Sequence, residues 1–138
     1  MSNLFLRHGE VQNEKNVFYA NLPGFYLSNN GRTQAKNAGI KIKEQFDIKN
    51  IISSPLLRAR QTAEIVNSVL KINITTSYNI IEWAGPSDWI GRTWDEIKLT
   101  QNFKNADDSP LNLMNTGESL KSVFDRFNNI YEKCENTL

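Results

Sequence analysis

Residues 51–76 have the sequence IISSPLLRARQTAEIVNSVLKINITT, and this stretch decides the fold. Two β-branched runs, at 51–52 and 72–76, enclose a segment from Leu57 to Leu70 in which apolar side chains recur at helical spacing. The intervening Ser-Ser-Pro at 53–55 is typical of a turn. The pattern predicts a strand, a helix and a second strand, which together build a parallel sheet covered by helices.

The residues on the N-terminal side extend the same pattern. Leu4-Phe5-Leu6 is a short apolar run just before Gly9 and predicts another buried strand. Residues 28–47 predict a helix, with Ser28 as its N-cap. We therefore predict an α/β fold, a three-layer αβα sandwich with a mostly parallel sheet.

The residues on the C-terminal side are less regular. Residues 78–110 predict an irregular excursion over the site, with a short helix at 93–99, and residues 116–135 predict an amphipathic helix. The excursion contains all three tryptophans: Trp83, Trp89 and Trp94. These rings, together with the segment 18–26, either select the substrate or serve as plain packing anchors.

Composition limits the possible functions. A chain of 138 residues that is 39% hydrophobic predicts one domain over residues 1–138. A net charge of +1, with 22% charged residues of both signs, argues against partners such as nucleic acid or an acidic membrane. The absence of a long apolar run and of a leader pattern predicts a cytoplasmic protein.

Several kinds of catalytic centre are disfavoured by the residues present. One histidine and one cysteine, Cys134, cannot supply the usual ligands of a zinc site, so we expect no metal cofactor. A single cysteine also forms no internal disulfide and suits a reducing compartment. The chain has no Gly-x-Ser-x-Gly elbow and no Walker loop, and Cys134 lacks the following arginine of a cysteine phosphatase loop.

The residues with the clearest chemistry are a histidine and two arginines. Arg7 and His8 follow the first predicted strand, and Arg58 lies in the first turn of the helix after the second. Cations are disfavoured in a first helical turn unless an anion lies nearby, and guanidinium groups match phosphoryl oxygens. The alternative is a structural histidine with two solvated arginines.

These residues also form a recognisable pattern. Leu6-Arg7-His8-Gly9-Glu10 resembles the signature of the histidine phosphatase superfamily, which includes the phosphoglycerate mutases. The resemblance spans essentially the whole chain. It continues through residues 22–28 with Gly31 and residues 34–35, through residues 54–63, through Glu82 and then residues 89–91, and through residues 116–119.

The resemblance implies a transient phosphohistidine on His8. Arg7 and Arg58 would hold the phosphoryl oxygens of a small phosphorylated substrate and keep the imidazole neutral, while Glu82 would protonate the leaving oxygen. Asn13 is a further candidate phosphate contact, although it lies one residue closer to His8 than in the mutase-like pattern.

The role of Glu82 requires a protonated carboxyl group when the ester arrives. Partial burial beside Trp83 would favour that state. The alternative is a solvated glutamate in a loop.

The resemblance also implies a second active-site histidine, after the helix at 116–135, that this sequence lacks. We therefore expect a domain that is incomplete at its C-terminus and a rate lowered on the order of a hundred- to a thousand-fold. The predicted function is an impaired phosphatase for a small phosphomonoester, with mutase activity less favoured. The alternative is a non-catalytic phosphate-binding or interaction remnant.

An exposed sheet edge and the apolar face of the last helix favour a homo-oligomer.

Overall fold

The strand-helix-strand segment that the sequence predicts is present in the fold. The computed structural model describes residues 3–106 and 118–135. They belong to two compact units, the first formed by Met1–Gln12 with Pro23–Tyr78 and the second by Asn13–Leu22 with Asn79–Leu138.

The sheet of the first unit has two parallel strands. Strand β1 spans Asn50–Ser53 and strand β2 spans Asn73–Thr76. Asn50 pairs with Asn73 and Ser53 with Thr76, so the strands run in register over their whole length. The two predicted strands at 51–52 and 72–76 are confirmed, and so is their parallel pairing.

Two long helices cover this unit. Helix α1 spans Asn29–Gln45 and helix α2 spans Leu57–Leu70, the latter at its predicted limits. Ser28 is the N-cap of α1, because its hydroxyl accepts a hydrogen bond from the Gly31 N–H at 3.0 Å. A side chain at Gly39 would lie 3.1 Å from the Val66 Cα, so the two helices approach closely at a residue without a side chain.

The predicted first strand is not formed. Residues 3–10 lie outside any strand, and residues 4, 5 and 6 are 42%, 65% and 47% exposed. A strand needs a neighbour that satisfies its N–H and C=O groups. Within the described ranges the sheet consists of β1 and β2, and neither pairs with residues 4–6.

In its described residues, the second unit contains loops, two short helices and one long helix. A 3-10 turn spans Tyr78–Ile80 in the sequence between the units, and it is followed by α3 at Trp94–Ile97, α4 at Gln101–Ala106 and α5 at Leu120–Glu135. The predicted helix at 93–99 is confirmed with shorter limits, and the one at 116–135 is confirmed over 120–135, with residues 116–117 outside the described part of the chain. Helix α4 was not predicted, although the Thr100 hydroxyl caps it by accepting from the Phe103 N–H at 3.2 Å.

Aromatic rings form the interior of the second unit. Phe18 packs against three tryptophans at centroid distances of 5.7–6.3 Å, and Trp89 is only 6% exposed. The Trp89 indole N–H donates to the Thr100 hydroxyl at 3.1 Å. Gly85 has φ +68°, and a side chain there would lie 2.8 Å from the Phe18 ring. Trp89 is thus a packing anchor, whereas Trp94 is 54% exposed, and any role of the tryptophans in selecting a substrate stays a prediction.

Candidate active site

His8 has a defined tautomer. Its Nδ1 lies 2.8 Å from the carbonyl oxygen of Gly9. A carbonyl oxygen can only accept, so Nδ1 carries the proton of the neutral imidazole and the lone pair is on Nε2. The ring is half-buried, and Nε2 has less than 1 Å² of accessible area. The hydrogen bond orients the ring, and the role of His8 as a nucleophile stays a prediction.

Thr62 joins the His8 segment to helix α2. Its hydroxyl accepts a hydrogen bond from the Gly9 N–H at 3.2 Å and donates to the Arg58 carbonyl at 2.8 Å. Both bonds are buried. The sequence placed Thr62 among the apolar residues of the helix, and the only signal of its role was a hydroxyl one turn after Arg58.

Two glycines bring the His8 segment against the start of α1. A side chain at Gly9 would lie 2.3 Å from the Gly31 carbonyl oxygen, and one at Gly31 would lie 2.0 Å from the Glu10 carbonyl oxygen. Since real side chains do not come so close to backbone, both positions require glycine. The backbone of α1 therefore lies directly against Gly9.

Glu10 fastens the same contact. Its carboxylate accepts hydrogen bonds from the Ser28 hydroxyl and from the Asn30 amide, the latter at 2.9 Å. Its backbone N–H donates to the Gln34 side chain at 2.8 Å. The Ser28 bond, followed by the Asn30 bond, holds the pKa of Glu10 below its ordinary value of 4.5. Glu10 is therefore an anchor for the segment that carries His8.

The two arginines differ in exposure. Arg58 is 1% exposed in the first turn of α2, which begins four residues after β1, whereas Arg7 is exposed. The alternative that Arg58 is a solvated charge is therefore wrong. A guanidinium group keeps its charge when buried, so this position provides a permanent positive charge inside the first unit.

The other two predicted site residues belong to the second unit. Glu82 is exposed, and its Oε1 accepts from the Trp83 N–H at 3.3 Å, so the expected burial beside Trp83 is wrong. The Asn13 amide donates to the Val17 carbonyl at 2.9 Å and accepts from the Val17 N–H at 3.1 Å. This closes the loop at 13–17. The roles of Glu82 as an acid and of Asn13 as a phosphate contact stay predictions.

The part of the chain that the structure describes contains no group of three or more histidine, cysteine, aspartate or glutamate side chains placed to hold a metal ion. None of its helices combines the length and the apolar character that crossing a membrane requires.

Known proteins and protein families resemble this chain in sequence and in structure. The model of the histidine phosphatase superfamily (branch 1) matches residues 4–137. An uncharacterized protein of Mycobacterium tuberculosis, Rv0525, is 38% identical over 104 residues, covering 67% of this chain and 51% of that protein. The 2,3-bisphosphoglycerate-dependent phosphoglycerate mutase of Thermoplasma acidophilum is 34% identical over 80 residues, covering 57% of this chain and 40% of the mutase.

A solved structure has the same fold. The alpha-ribazole phosphatase from Shigella flexneri superposes with a TM-score of 0.79 at 20% identity, over 96% of this chain and 66% of that protein. This likeness confirms the predicted α/β class. The chain spans about half the length, or less, of the curated relatives it matches.

Proposed function

The chain belongs to the histidine phosphatase superfamily (branch 1), and on that basis we propose that it hydrolyses a small phosphomonoester through a phosphohistidine on His8. The hydrogen bond from His8 Nδ1 to the Gly9 carbonyl carries this proposal. It directs the lone pair to Nε2, and a neutral imidazole is nucleophilic near pH 7.

The reaction has two displacements at phosphorus. Nε2 of His8 forms a bond to phosphorus while the ester P–O bond breaks, and the leaving oxygen takes a proton, which we assign to Glu82. Water then attacks phosphorus and the N–P bond breaks, which restores the lone pair on Nε2. The product leaves as dihydrogen phosphate with both protons of the water, and Glu82 regains its proton from solvent. Arg58 and Arg7 hold the phosphoryl oxygens, and Asn13 is a further candidate contact.

The buried position of Arg58 supports this role. Its side chain is 1% exposed, so its charge acts in a medium less polarisable than water, where it stabilises developing negative charge more strongly. Thr62 bonds both the Arg58 carbonyl and the Gly9 N–H. It thereby links the residue proposed to hold the phosphoryl oxygens to the segment that carries His8.

We expect slow turnover. His8 is the single histidine of the chain, so the second imidazole that the family resemblance implies is not supplied by these 138 residues. Loss of one such donor lowers a rate on the order of a hundred- to a thousand-fold. Nε2 also has less than 1 Å² of accessible area, so neighbouring side chains must move before a phosphoryl group reaches it.

Phosphate binding without turnover is the second candidate function. The same two features favour it, namely the single histidine and the enclosed Nε2. In that case Arg7, Arg58 and His8 bind an anion and release no product.

The experiment is release of 4-nitrophenol from 4-nitrophenyl phosphate in the presence of EDTA. We expect turnover by the wild type and only background release by His8→Ala. Arg60→Ala is the matched control, because Arg60 is exposed on α2 and pairs with Glu64 at 3.8 Å. Equal rates for the wild type and His8→Ala exclude the proposed phosphatase. Anion binding by a wild type without turnover supports the second candidate.

A further inference from the structure

The loop at 79–83 is hydrogen-bonded at both ends to two residues, Glu118 and Arg126, that also form an ion pair with each other. Arg126 donates through Nη1 to the Asn79 carbonyl at 2.8 Å, and the Trp83 indole N–H donates to the Glu118 carbonyl at 2.8 Å. Arg126 and Glu118 bind each other through two hydrogen bonds, Nε to Oε1 at 2.5 Å and Nη2 to Oε2 at 2.9 Å. We call this arrangement the Glu118–Arg126 clamp.

The clamp is shielded from solvent. The side chains of Glu118 and Arg126 are 22% and 17% exposed, unlike the exposed ion pair that Lys121 and Asp125 form on the same helix. Arg126 uses three nitrogen atoms at once, two on the carboxylate and one on the loop. A lysine ammonium is a compact point charge and does not reproduce this planar set of donors.

Glu82 lies between the two fastened ends. Its carboxylate accepts from the Trp83 N–H at 3.3 Å, a bond within the loop itself, and its side chain is exposed. The position of the carboxylate therefore follows the position of the loop backbone. A general acid works only within hydrogen-bond reach of the atom that it protonates, so this backbone must be held in place.

We propose that Glu118 and Arg126 are positioning residues for Glu82, holding its loop from both sides so that the carboxyl group meets the leaving oxygen. The proposal rests on the proposed phosphatase function and on the acid role of Glu82. It assigns a task to residues of the second unit that take no part in the proposed displacements at phosphorus.

The test compares kcat on two phosphate esters whose leaving groups differ in their need for a proton. A good leaving group such as 4-nitrophenolate departs without a proton, whereas an alkyl alkoxide needs one. For Arg126→Lys we expect kcat on an alkyl phosphate to fall roughly 10- to 100-fold, with KM within about twofold. On 4-nitrophenyl phosphate we expect kcat to fall less than about threefold. Lys121→Ala, which removes the exposed pair on α5, should change neither.

Two further variants separate positioning from a general structural effect. Trp83→Phe removes the indole N–H and keeps an aromatic ring against Phe18, so it should reproduce the selective loss even if Arg126→Lys fails to fold. In a Glu82→Gln background, adding Trp83→Phe should cause no further loss, because the acid is already absent.

The outcomes separate the two proposals. A wild type without His8-dependent turnover overturns the proposed phosphatase and this inference with it. A wild type with turnover, combined with equal losses on both esters or with additive losses in the Glu82→Gln background, overturns the positioning role alone.

Discussion

Thr62 connects the segments that carry His8 and Arg58, because its hydroxyl accepts from the Gly9 N–H and donates to the Arg58 carbonyl. Arg7, His8 and Arg58 were predicted from their residue types and from the motif around them. The bond from Thr62 to the Gly9 N–H joins residues 53 positions apart, and no local pattern encodes it. The burial of Arg58 was missed in the same way, because exposure depends on tertiary packing.

Thr62→Val tests this link at constant side-chain shape. The change removes the hydroxyl and leaves the buried Gly9 N–H without that acceptor, which costs about 1–3 kcal/mol. We expect the free energy of unfolding in urea to fall by that amount and phosphatase turnover to fall with it. Thr33→Val is the control, because the Thr33 hydroxyl is exposed on α1. Equal stability losses in the two variants would contradict a special role for Thr62.

Helices were predicted more accurately than the first strand. Apolar spacing located α2 at its observed limits, and a local hydrogen bond at Ser28 gave the start of α1. A strand depends instead on a partner that is distant in the sequence. Residues 4–6 have the apolar pattern of a strand and are exposed, so pattern alone gave the wrong prediction there.

The attachment of helix α5 should depend on pH through Glu118. The hydrogen bond from Arg126 holds the pKa of Glu118 below its ordinary value of 4.5, against the opposing effect of burial. A folded-state pKa below the unfolded value stabilises the protein above about pH 4.5, and this contribution is lost as pH falls through the folded-state pKa.

Glu118→Gln measures that contribution. We expect it to lower the free energy of unfolding by roughly 1–2 kcal/mol at pH 7, because a charged hydrogen bond becomes a neutral one. The difference from the wild type should shrink as urea unfolding is repeated at decreasing pH below 4.5. Glu44→Gln removes an exposed carboxylate from α1 and serves as the control. A Glu118→Gln deficit that stays constant down to pH 2 would contradict this account.

At the scale of the whole molecule, the strand-helix-strand segment was enough to predict the α/β class, and the motif blocks were enough to predict the family. The second unit was harder to predict. Its interior is built from Phe18 and tryptophans that lie 65–76 residues further along the chain, and ring contacts of this kind have no period in the sequence. Helix α4 was missed for a related reason, since six residues are too few to establish a helical period.

An anion that binds only the folded chain should raise its melting temperature. Vanadate at about 100 times its Kd contributes about 2.7 kcal/mol, which corresponds to a rise of roughly 5–10 °C for a chain of this size. Arg58→Ala should abolish most of the shift, and Arg60→Ala should retain it. The measurement is thermal unfolding with and without vanadate. An undiminished shift in Arg58→Ala would place the bound anion elsewhere.

The hydrogen bond of His8 to the Gly9 carbonyl has a spectroscopic consequence. Because the chain has a single imidazole, its nitrogen-15 resonances need no assignment by mutagenesis. The protonated Nδ1 and the bare Nε2 resonate in separate regions of the spectrum, and phosphorylation would move the second nitrogen and leave the first nearly in place. The protein therefore contains one natural reporter that distinguishes resting, protonated and phosphorylated forms in a single sample.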